Sequence, residues 1–457
     1  MKSAAWHGYA TAPVQSTRMP PGVPYIVGNE AAERFSFYGM RAILATFMTQ
    51  YLVSASGAAD HMSEPDAKIW IHTFISAVYF TPLLGALISD AFWGKYRTIL
   101  VLSLVYCAGH AALALNDTRG GLFLGLGLIA LGAGGIKPCV SANVGDQFGP
   151  SNQHLISRVF SWFYFSINFG SAIATLVIPK ILHGKGRFSG AHYAFALPGV
   201  LMFIATVIFW LGRKKFVHVP PAGKEFVRET FNKANLKIIG HLYVIFAFVA
   251  VFWALFDQTA SSWTLQAGKM DRHWLGVEWT QEQLQALNPI FILILIPIFS
   301  YVIYPLMDKV FPLTPLRKIS IGFFVAIPTF LLAAWIEHRI GQGFHPNIGW
   351  QVISYLILTS AEVLVSITAL EFSYTQAPKR LKSLVMSFYL TSVTLGDLFV
   401  AGVNLFIENR DGTTKLPGAS YYLFFAGVLF VSSIAFIFVA RKYQPHTFIQ
   451  DEVPAPA

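Results

Sequence analysis

The sequence predicts an all-α protein that crosses a lipid bilayer twelve times, with its helices grouped into two six-helix bundles. Of its 457 residues, 54% are hydrophobic and only 12% are charged, which is more apolar than the core and surface proportions of a soluble protein allow. Apolar windows of about 20 residues, each long enough to cross a hydrocarbon layer roughly 30 Å thick, recur along the whole chain. A short basic segment separates the sixth window from the seventh.

The apolar windows place the predicted helices in order along the chain. They cover residues 24–52, 69–90, 98–116, 120–142, 156–180 and 190–212, and then 236–260, 284–308, 317–340, 347–373, 381–408 and 418–440. We therefore expect an N-terminal segment at 1–23, a first bundle at 24–212, a linker at 213–235, a second bundle at 236–442 and a tail at 443–457. The linker is too short and too charged to contain two further helices.

The distribution of basic residues predicts the orientation in the membrane. A net charge of +10 would suit a nucleic-acid partner, but the Lys and Arg residues cluster in alternate connections. With both termini in the cytoplasm, 20 of the 33 Lys and Arg residues fall on that side, 10 fall on the other and three lie inside helices. This asymmetry is typical of membrane topology, so we expect cytoplasmic termini and no nucleic-acid partner.

The first predicted helix carries many charges for a segment in lipid. A single Arg, Lys or Asp at the centre of a lone spanning helix costs roughly 2.5–3.5 kcal/mol. At the angular spacing of an α-helix, one stripe roughly 140° wide contains five polar residues, namely Glu30, Glu33, Arg34, Tyr38 and Arg41. An ion pair within the helix could serve packing alone, but two acids, two arginines and a tyrosine exceed that need. The stripe must face protein or water.

Charged residues in other predicted helices lie at matching depths. Arg34 and Lys137 of the first half and Glu362 of the second half reach a similar depth near the centre. Such a layer can hold a carboxylate and an ammonium group at a fixed separation, so it suits a zwitterionic solute bound between two bundles. Four further residues would add uncharged hydrogen bonds, although each could instead be structural: Tyr38, Tyr79, Asn168 and Asn288.

The remaining charges predict proton handling and a gate. A carboxylate beside Arg34 or Lys137 loses that partner to a substrate carboxylate and then favours protonation, which makes Glu30 and Glu33 the best candidates for proton coupling. Nearer the outer face, Arg41 and Asp257 lie at one level and can form a gate. His72 lies near the same level, where its titration could loosen the Arg41 to Asp257 pair, so we add His72 and Asp257 to the proton-coupling residues.

Five strings of the sequence resemble the proton-coupled oligopeptide transporter family, a branch of the major facilitator superfamily. They are EAAERFSFY at 30–38, GGIKPCVS at 134–141, FYFSINFGS at 163–171, FWALFDQ at 252–258 and EFSYTQAP at 371–378. The resemblance implies a major facilitator fold and a proton-coupled symporter for di- and tripeptides. It further implies a monomer of the bacterial type in the plasma membrane, which is the inner membrane.

The same resemblance assigns roles to particular residues. It implies that Arg34 and Lys137 bind the peptide carboxylate and that Glu362 binds the amino end. Tyr79 matches a tyrosine that faces the substrate, and His72 matches a histidine found in only some members. Phe37 departs from the family, which usually has a tyrosine there, so one hydroxyl is missing from the pocket.

Other functions fit parts of the pattern. Plant relatives of this family carry nitrate and other small acids, but Glu362 favours a substrate with a positive end. A membrane-embedded enzyme would need a metal or a nucleophile, and the sequence has no His-Glu-x-x-His, no Gly-x-Ser-x-Gly and no Cys/His ligand spacing. We therefore expect no enzyme and no cofactor. A nutrient sensor that does not transport fits the same residues, and only a flux assay separates it.

Overall fold

The protein is a bundle of long helices with two small hairpins. The computed structural model describes residues 5–6, 8–152, 155–221, 223, 233–376, 382–407 and 414–443. We call the described residues up to 223 the first half and those from 233 onward the second half. Residues 222 and 224–232 of the predicted linker (213–235) and residues 444–457 of the predicted tail (443–457) lie outside the described residues.

The first half contains six long helices. They are α1 (Val23–Gln50), α2 (Glu64–Ile88), α3 (Lys95–Leu115), α4 (Arg119–Gly145), α5 (Ile156–Leu182) and α6 (Ala191–Leu211). A π-helical turn, Ser89–Trp93, extends α2, and a 3₁₀ turn, Gly212–Lys214, follows α6. The strands β1 (Ala5–Trp6) and β2 (Tyr9–Ala10) form an antiparallel hairpin before α1.

The second half repeats this pattern with more interruptions. Helix α7 comprises Lys233–Phe256, a 3₁₀ turn at Asp257–Ala260 and the helical segment Ser262–Ala267. The antiparallel strands β3 (His273–Trp274) and β4 (Val277–Glu278) and a 3₁₀ turn at Gln283–Ala286 follow. Helix α8 comprises Leu287–Ile298, a π-helical turn at Phe299–Ile303 and Tyr304–Asp308, and α9 is Pro315–Gly341. Helix α10 comprises Gly349–Glu362, a π-helical turn at Val363–Ile367 and Thr368–Gln376, and it is followed by α11 (Lys382–Ile407) and α12 (Ala419–Lys442).

Length and composition support a membrane protein. Eleven helices of the described residues, α2 to α12, are long and apolar enough to cross a bilayer. Helix α1 has 28 residues, which is long enough to cross a bilayer, but its charged side chains make it less apolar than these eleven helices. With α1 as the twelfth, the described residues contain the predicted set of spanning helices. The predicted fold class is therefore confirmed.

Each half has its own apolar core. The largest fully buried side chains of the first core include Phe37, Phe47, Tyr106 and Phe195, and those of the second include Trp263, Phe323, Phe330 and Tyr355. The halves meet chiefly where α2 packs against α11 and where α5 packs against the start of α8. Apart from Leu265 and Val393 of the second half, the buried residues of the first core all lie in the first half. Polar side chains can therefore occupy much of the surface between the halves.

Glycines bring α2 and α4 into backbone contact. A Cβ atom on Gly85 of α2 would overlap the backbone of Gly135 in α4, and a Cβ on Gly134 would overlap Thr81 and the carbonyl of Val78. Small residues at such crossings let two membrane helices approach closely, as the sequence spacing around Gly134 predicts. The contact also fixes the position of Lys137, which lies less than one turn further along α4.

We expect Gly85→Ala to destabilise the protein and Gly127→Ala to leave its stability unchanged or to raise it. A methyl group at 85 meets backbone that cannot yield, and overpacking of this kind costs about 1–3 kcal/mol. A methyl group at 127, also in a membrane helix, has no atom within 4 Å and replaces a residue with a helix propensity about 1 kcal/mol poorer than alanine. Thermal melting of the purified protein in detergent compares the two variants. Equal melting temperatures would contradict the proposed close contact.

Candidate functional site

The charged stripe of α1 folds into a compact ion cluster. Arg34 Nε lies 2.7 Å from Glu30 Oε1, one turn earlier, and 3.2 Å from Glu33 Oε2. Glu30 and Glu33 are 2% and 1% exposed, and neither Glu33 oxygen has a well-aligned hydrogen-bond donor among the described residues. One guanidinium group therefore serves two buried carboxylates. The cluster needs a further positive charge or a proton to be neutral.

Lys137 of α4 can supply that charge. It is close enough to interact electrostatically with Glu33 and Glu30. Its Nζ is buried without a hydrogen-bond acceptor among the described residues, and it lies 4.5 Å from the centre of the Phe37 ring and 4.2 Å from that of the Tyr79 ring. Cation–π contacts of this kind stabilise an ammonium group without neutralising it. Phe37, which departs from the family pattern, thus forms part of the surface beneath this cation.

Glu362 faces the site from the second half. It ends the regular part of α10, where the π-helical turn begins, and π-helical turns are frequent at functional sites. Asn288 of α8 donates its Nδ2 to Glu362 Oε2 at 2.6 Å and also lies 3.2 Å from Thr359 Oγ1. No Lys or Arg of the described residues forms an ion pair with Glu362. Asn288 therefore orients a carboxylate that has no countercharge of its own.

Two tyrosines connect the halves. Tyr38 of α1 is close enough to interact electrostatically with both Arg34 and Glu362. Tyr164 of α5 is close to Tyr38 and Glu362 in the same way. The sequence analysis quoted the string that contains Tyr164 but did not select this residue for the site. Tyr38 therefore lies near charged groups of both halves, Arg34 of the first and Glu362 of the second.

Asn168 occupies the expected helix but makes a different contact. Its Nδ2 donates to the carbonyl of Tyr164 one turn earlier in α5, at 3.0 Å. One Nδ2 hydrogen is therefore used within its own helix. The second Nδ2 hydrogen and the amide oxygen are not engaged by this bond.

The end of the bundle where α1 finishes is called here the distal side, and the end where α6 leads toward α7 is the linker side. On the distal side, Arg41 of α1 donates from Nη2 to Oδ1 of Asp257, the first residue of the 3₁₀ turn within α7. Both side chains are buried, with 8% and 4% of their surfaces exposed. Arg41 and Asp257, which the sequence analysis placed at the same depth in the membrane, are therefore in direct contact across the halves.

His72, which we expect near the level of Asp257, contacts Asp397 and Ser261. Its Nδ1 lies 2.5 Å from Asp397 Oδ1 in α11, and its Nε2 lies 2.9 Å from Ser261 Oγ. The physical reason is that α2 packs along α11, and this packing places Asp397 next to the histidine. Asp397 was missed, although an acid in the middle of an apolar window was a visible signal.

A second distal contact involves residues that lie before α8. Glu282 is fully buried, accepts from Thr46 Oγ1 of α1, and lies 3.2 Å from His183 Nε2 at the end of α5. The neighbouring Gln283 donates to the carbonyl of Leu176 in α5 at 2.8 Å. The sequence analysis missed this patch because it lies in a connection, where a single acid has no periodicity to mark it. Together with the Arg41 and His72 contacts, it holds the distal ends of the halves together.

Comparisons with known proteins identify the family. The chain matches the family model PTR2, described as the POT family, over residues 96–237 and 228–415. It is 37% identical over 398 residues to solute carrier family 15 member 2 of Rattus norvegicus, covering 77% of this chain and 53% of the relative. It is 36% identical over 366 residues to peptide transporter family 1 of Drosophila melanogaster, covering 71% and 48%. The chain thus spans about half the length of these curated relatives.

A solved structure covers the fold more fully. The crystal structure of the POT family transporter PepTSo is similar to this chain with a TM-score of 0.82 and 36% sequence identity, covering 93% of this chain and 98% of that chain. The family model, the curated relatives and the structural similarity therefore all point to one family. This chain belongs to the POT family.

Proposed function

We propose that the protein imports di- and tripeptides together with protons, by alternating access between its two halves. The observation that carries the proposal is that Tyr38 lies close enough to interact electrostatically with Arg34 of its own half and with Glu362 of the other. Lys137 interacts in the same way with Arg34 and Glu33. A short peptide is a zwitterion whose two charged ends match these groups. The printed name of the Drosophila relative, a peptide transporter, supports the same substrate class.

Peptide binding would satisfy the buried groups that lack partners. Lys137 Nζ has no acceptor among the described residues, so a peptide carboxylate supplies one, with Arg34 as the second donor. The peptide ammonium group pairs with Glu362, which Asn288 already holds in position. Because the two ends bind to different halves, the peptide connects the two bundles that must move.

Proton coupling follows from the charges of the cluster. Without substrate, the two carboxylates of Glu30 and Glu33 balance the cations of Arg34 and Lys137. A peptide carboxylate adds one negative charge to a buried region, where net charge is costly. A proton on Glu33 restores neutrality, so the binding of peptide and the binding of proton favour each other.

The described state suits an inward-facing carrier. The excess of Lys and Arg supports a cytoplasmic location for the linker side and both termini, and the membrane we propose is the bacterial inner membrane. The distal contacts of Arg41 and His72 then close the external face. We further propose that one chain suffices, because both ends of the peptide are bound by side chains of a single protomer.

Uptake of labelled dialanine into proteoliposomes tests the proposed function. The protein should accumulate dialanine above its external concentration when an inward proton gradient is imposed, and it should only equilibrate dialanine when a protonophore removes the gradient. Liposomes without protein provide the background. Absence of dialanine uptake under both conditions would contradict peptide transport, and accumulation that ignores the gradient would contradict proton coupling.

We expect Glu362→Gln to lower the initial rate of dialanine uptake by about 10- to 100-fold, since a hydrogen bond to a charged group contributes about 1.5–3 kcal/mol. The variant keeps the volume of the side chain and its contact with Asn288. Glu278→Gln, at an exposed hairpin position, is the matched control and should transport like the parent. Equal rates for both variants would remove Glu362 from the site.

We expect Glu33→Gln to lose gradient-driven accumulation while it retains exchange of labelled for unlabelled dialanine. Glutamine resembles the protonated carboxyl group, so peptide still binds, but no proton can be carried at this position. Accumulation and exchange are measured on the same proteoliposome preparation. Accumulation at the parental level would exclude Glu33 from coupling.

We expect the distal side of Asp257→Asn to be open more often than that of the parent. Removing one partner of a buried ion pair destabilises the state that contains the pair, here the closed distal side, by about 3–5 kcal/mol. A cysteine at Ser76, in a background without Cys107 and Cys139, reports on this opening. Its labelling by an impermeant maleimide added outside intact cells should rise by at least about fivefold. Unchanged labelling would show that the Arg41 contact does not hold the distal face closed.

A further inference from the structure

We propose that the second half binds an anionic phospholipid in a cavity at its linker-side end, with the phosphate group of the lipid bound by Arg317 and Arg441. The cavity has a volume of about 840 Å³ and lies between the start of α9, the end of α10 and the end of α12. Glu362 does not line it, and none of the transport steps derived above uses it. The inference therefore goes beyond the proposed function.

The cavity carries positive charge at its linker-side end. Arg317 lies in the first turn of α9 and Arg441 in the last turn of α12. Arg317 donates from Nη1 to the carbonyl of Pro312 at 2.6 Å, in the connection before α9, and neither arginine forms an ion pair with a described carboxylate. Of the described side chains that line the cavity, none is acidic. A phosphate group would supply the missing negative charge, and the planar guanidinium group matches its oxygens.

The cavity becomes apolar within one helical turn of these charges. Ile321 lies one turn after Arg317 in α9, and Ile437 lies one turn before Arg441 in α12. Because α9 starts and α12 ends at the linker side, both isoleucines lie about 6 Å deeper in the membrane than the arginines. Phe372 of α10 adds an aromatic ring to the same lining. The cavity therefore suits a ligand with an anionic head and a hydrocarbon body, whereas a free phosphate ion would leave the apolar walls without contacts.

The helices that form the cavity lie on the outer surface of the second half. The main contacts of α9 and α12 are with each other and with further helices of the second half, whereas the halves meet chiefly through α2 with α11 and α5 with α8. Apolar side chains beside the cavity are exposed, with 61% of Phe438 and 81% of Val310 accessible. In a membrane protein such a surface faces hydrocarbon, so a lipid can enter from the bilayer.

The depth of the arginines selects the leaflet. Both lie at the linker side, which is the cytoplasmic side in the proposed orientation. The cytoplasmic leaflet carries anionic lipids, and basic pockets between membrane helices on this side bind their head groups. The charge, the apolar depth and the position of the cavity therefore all favour an anionic phospholipid of that leaflet.

A bound lipid would contact the part of α10 that follows Glu362. Phe372 and Gln376 line the cavity, and both lie beyond the π-helical turn at Val363–Ile367. The lipid would thus hold this end of α10 against α9 and α12. Because a ligand that binds only the folded state stabilises it, phosphatidylglycerol should raise the melting temperature of the purified protein.

The test measures the binding of radiolabelled phosphatidylglycerol to the purified protein in detergent by scintillation proximity. Unlabelled phosphatidylglycerol should displace the label at a concentration at least about tenfold lower than phosphatidylcholine, since choline adds a positive charge beside two arginines. Inorganic phosphate at the same concentration should not displace it. Equal displacement by the two lipids, displacement by phosphate, or the absence of saturable binding would overturn the proposal.

A pair of double variants locates the binding site. Arg317→Gln combined with Arg441→Gln should weaken the binding of phosphatidylglycerol by at least about tenfold, because hydrogen bonds between charged groups are lost. Lys214→Gln combined with Lys309→Gln is the matched control, since it removes two exposed positive charges at the linker side but outside the cavity. The control should bind like the parent. Equal losses in the two double variants would show general attraction to a basic surface and would overturn the proposal.

A further variant covers the case in which the arginine variant does not fold. Ala440 lines the cavity, and Ala440→Phe fills space that the lipid needs while both arginines stay in place. This variant should also lose most of the bound phosphatidylglycerol, and parental binding by the folded variant would contradict the proposed site. The readout is lipid binding by the purified protein, so its failure is distinct from a failure of dialanine uptake.

Discussion

The cost of placing charge in the apolar interior of a bilayer is the constraint on which the rest of the structure depends. The hydrophobic cores of the two halves are complete without any charged residue, yet α1 alone brings Glu30, Glu33, Arg34 and Arg41 into the membrane. Each of these groups needs a partner or a proton, since uncompensated buried charge is not tolerated. The partners lie partly on the other half, so electrostatic balance couples the two bundles.

The apolar packing supports this balance by fixing the positions of the charges. Gly134 and Gly135 allow α4 to pack closely against α2. This close packing places Lys137 of α4 next to the rings of Phe37 and Tyr79. Glu362 lies where the regular hydrogen bonding of α10 gives way to a π-helical turn. Helix contacts within each half therefore set the geometry of groups that act between the halves.

Much of the fold was predictable, because hydropathy and helical periodicity are local properties. The apolar windows match the observed helices closely, and α1 runs Val23–Gln50 where 24–52 was expected. The position of each residue along a straight helix also predicted that Arg41 and Asp257 lie at the same depth, because both helices start on the same side of the membrane. The charged stripe of α1 followed from angular spacing alone.

The contacts across the halves were less predictable. The depth of a residue along its helix shows how far into the membrane it lies, but it does not show which residue of another helix lies beside it. His72 and Asp397 are 325 positions apart, and only the packing of α2 on α11 brings them together. Glu282 lies in a connection, where no periodic pattern marks a buried acid. Asn168 bonds within its own helix because an amide one turn beyond a carbonyl can always do so, which the residue type does not reveal.

The most direct test of the central claim is a binding cycle that removes the same interaction from the ligand and from the protein. Dialanine and N-acetyl-dialanine are titrated into the parent and into Glu362→Gln, with affinity read by calorimetry. N-acetylation should weaken binding to the parent by about 10- to 100-fold, as expected for a lost charged hydrogen bond. In Glu362→Gln the same change should weaken binding by less than about threefold, since the partner is already absent. An equal loss in both proteins would show that the peptide amino end does not bind at Glu362.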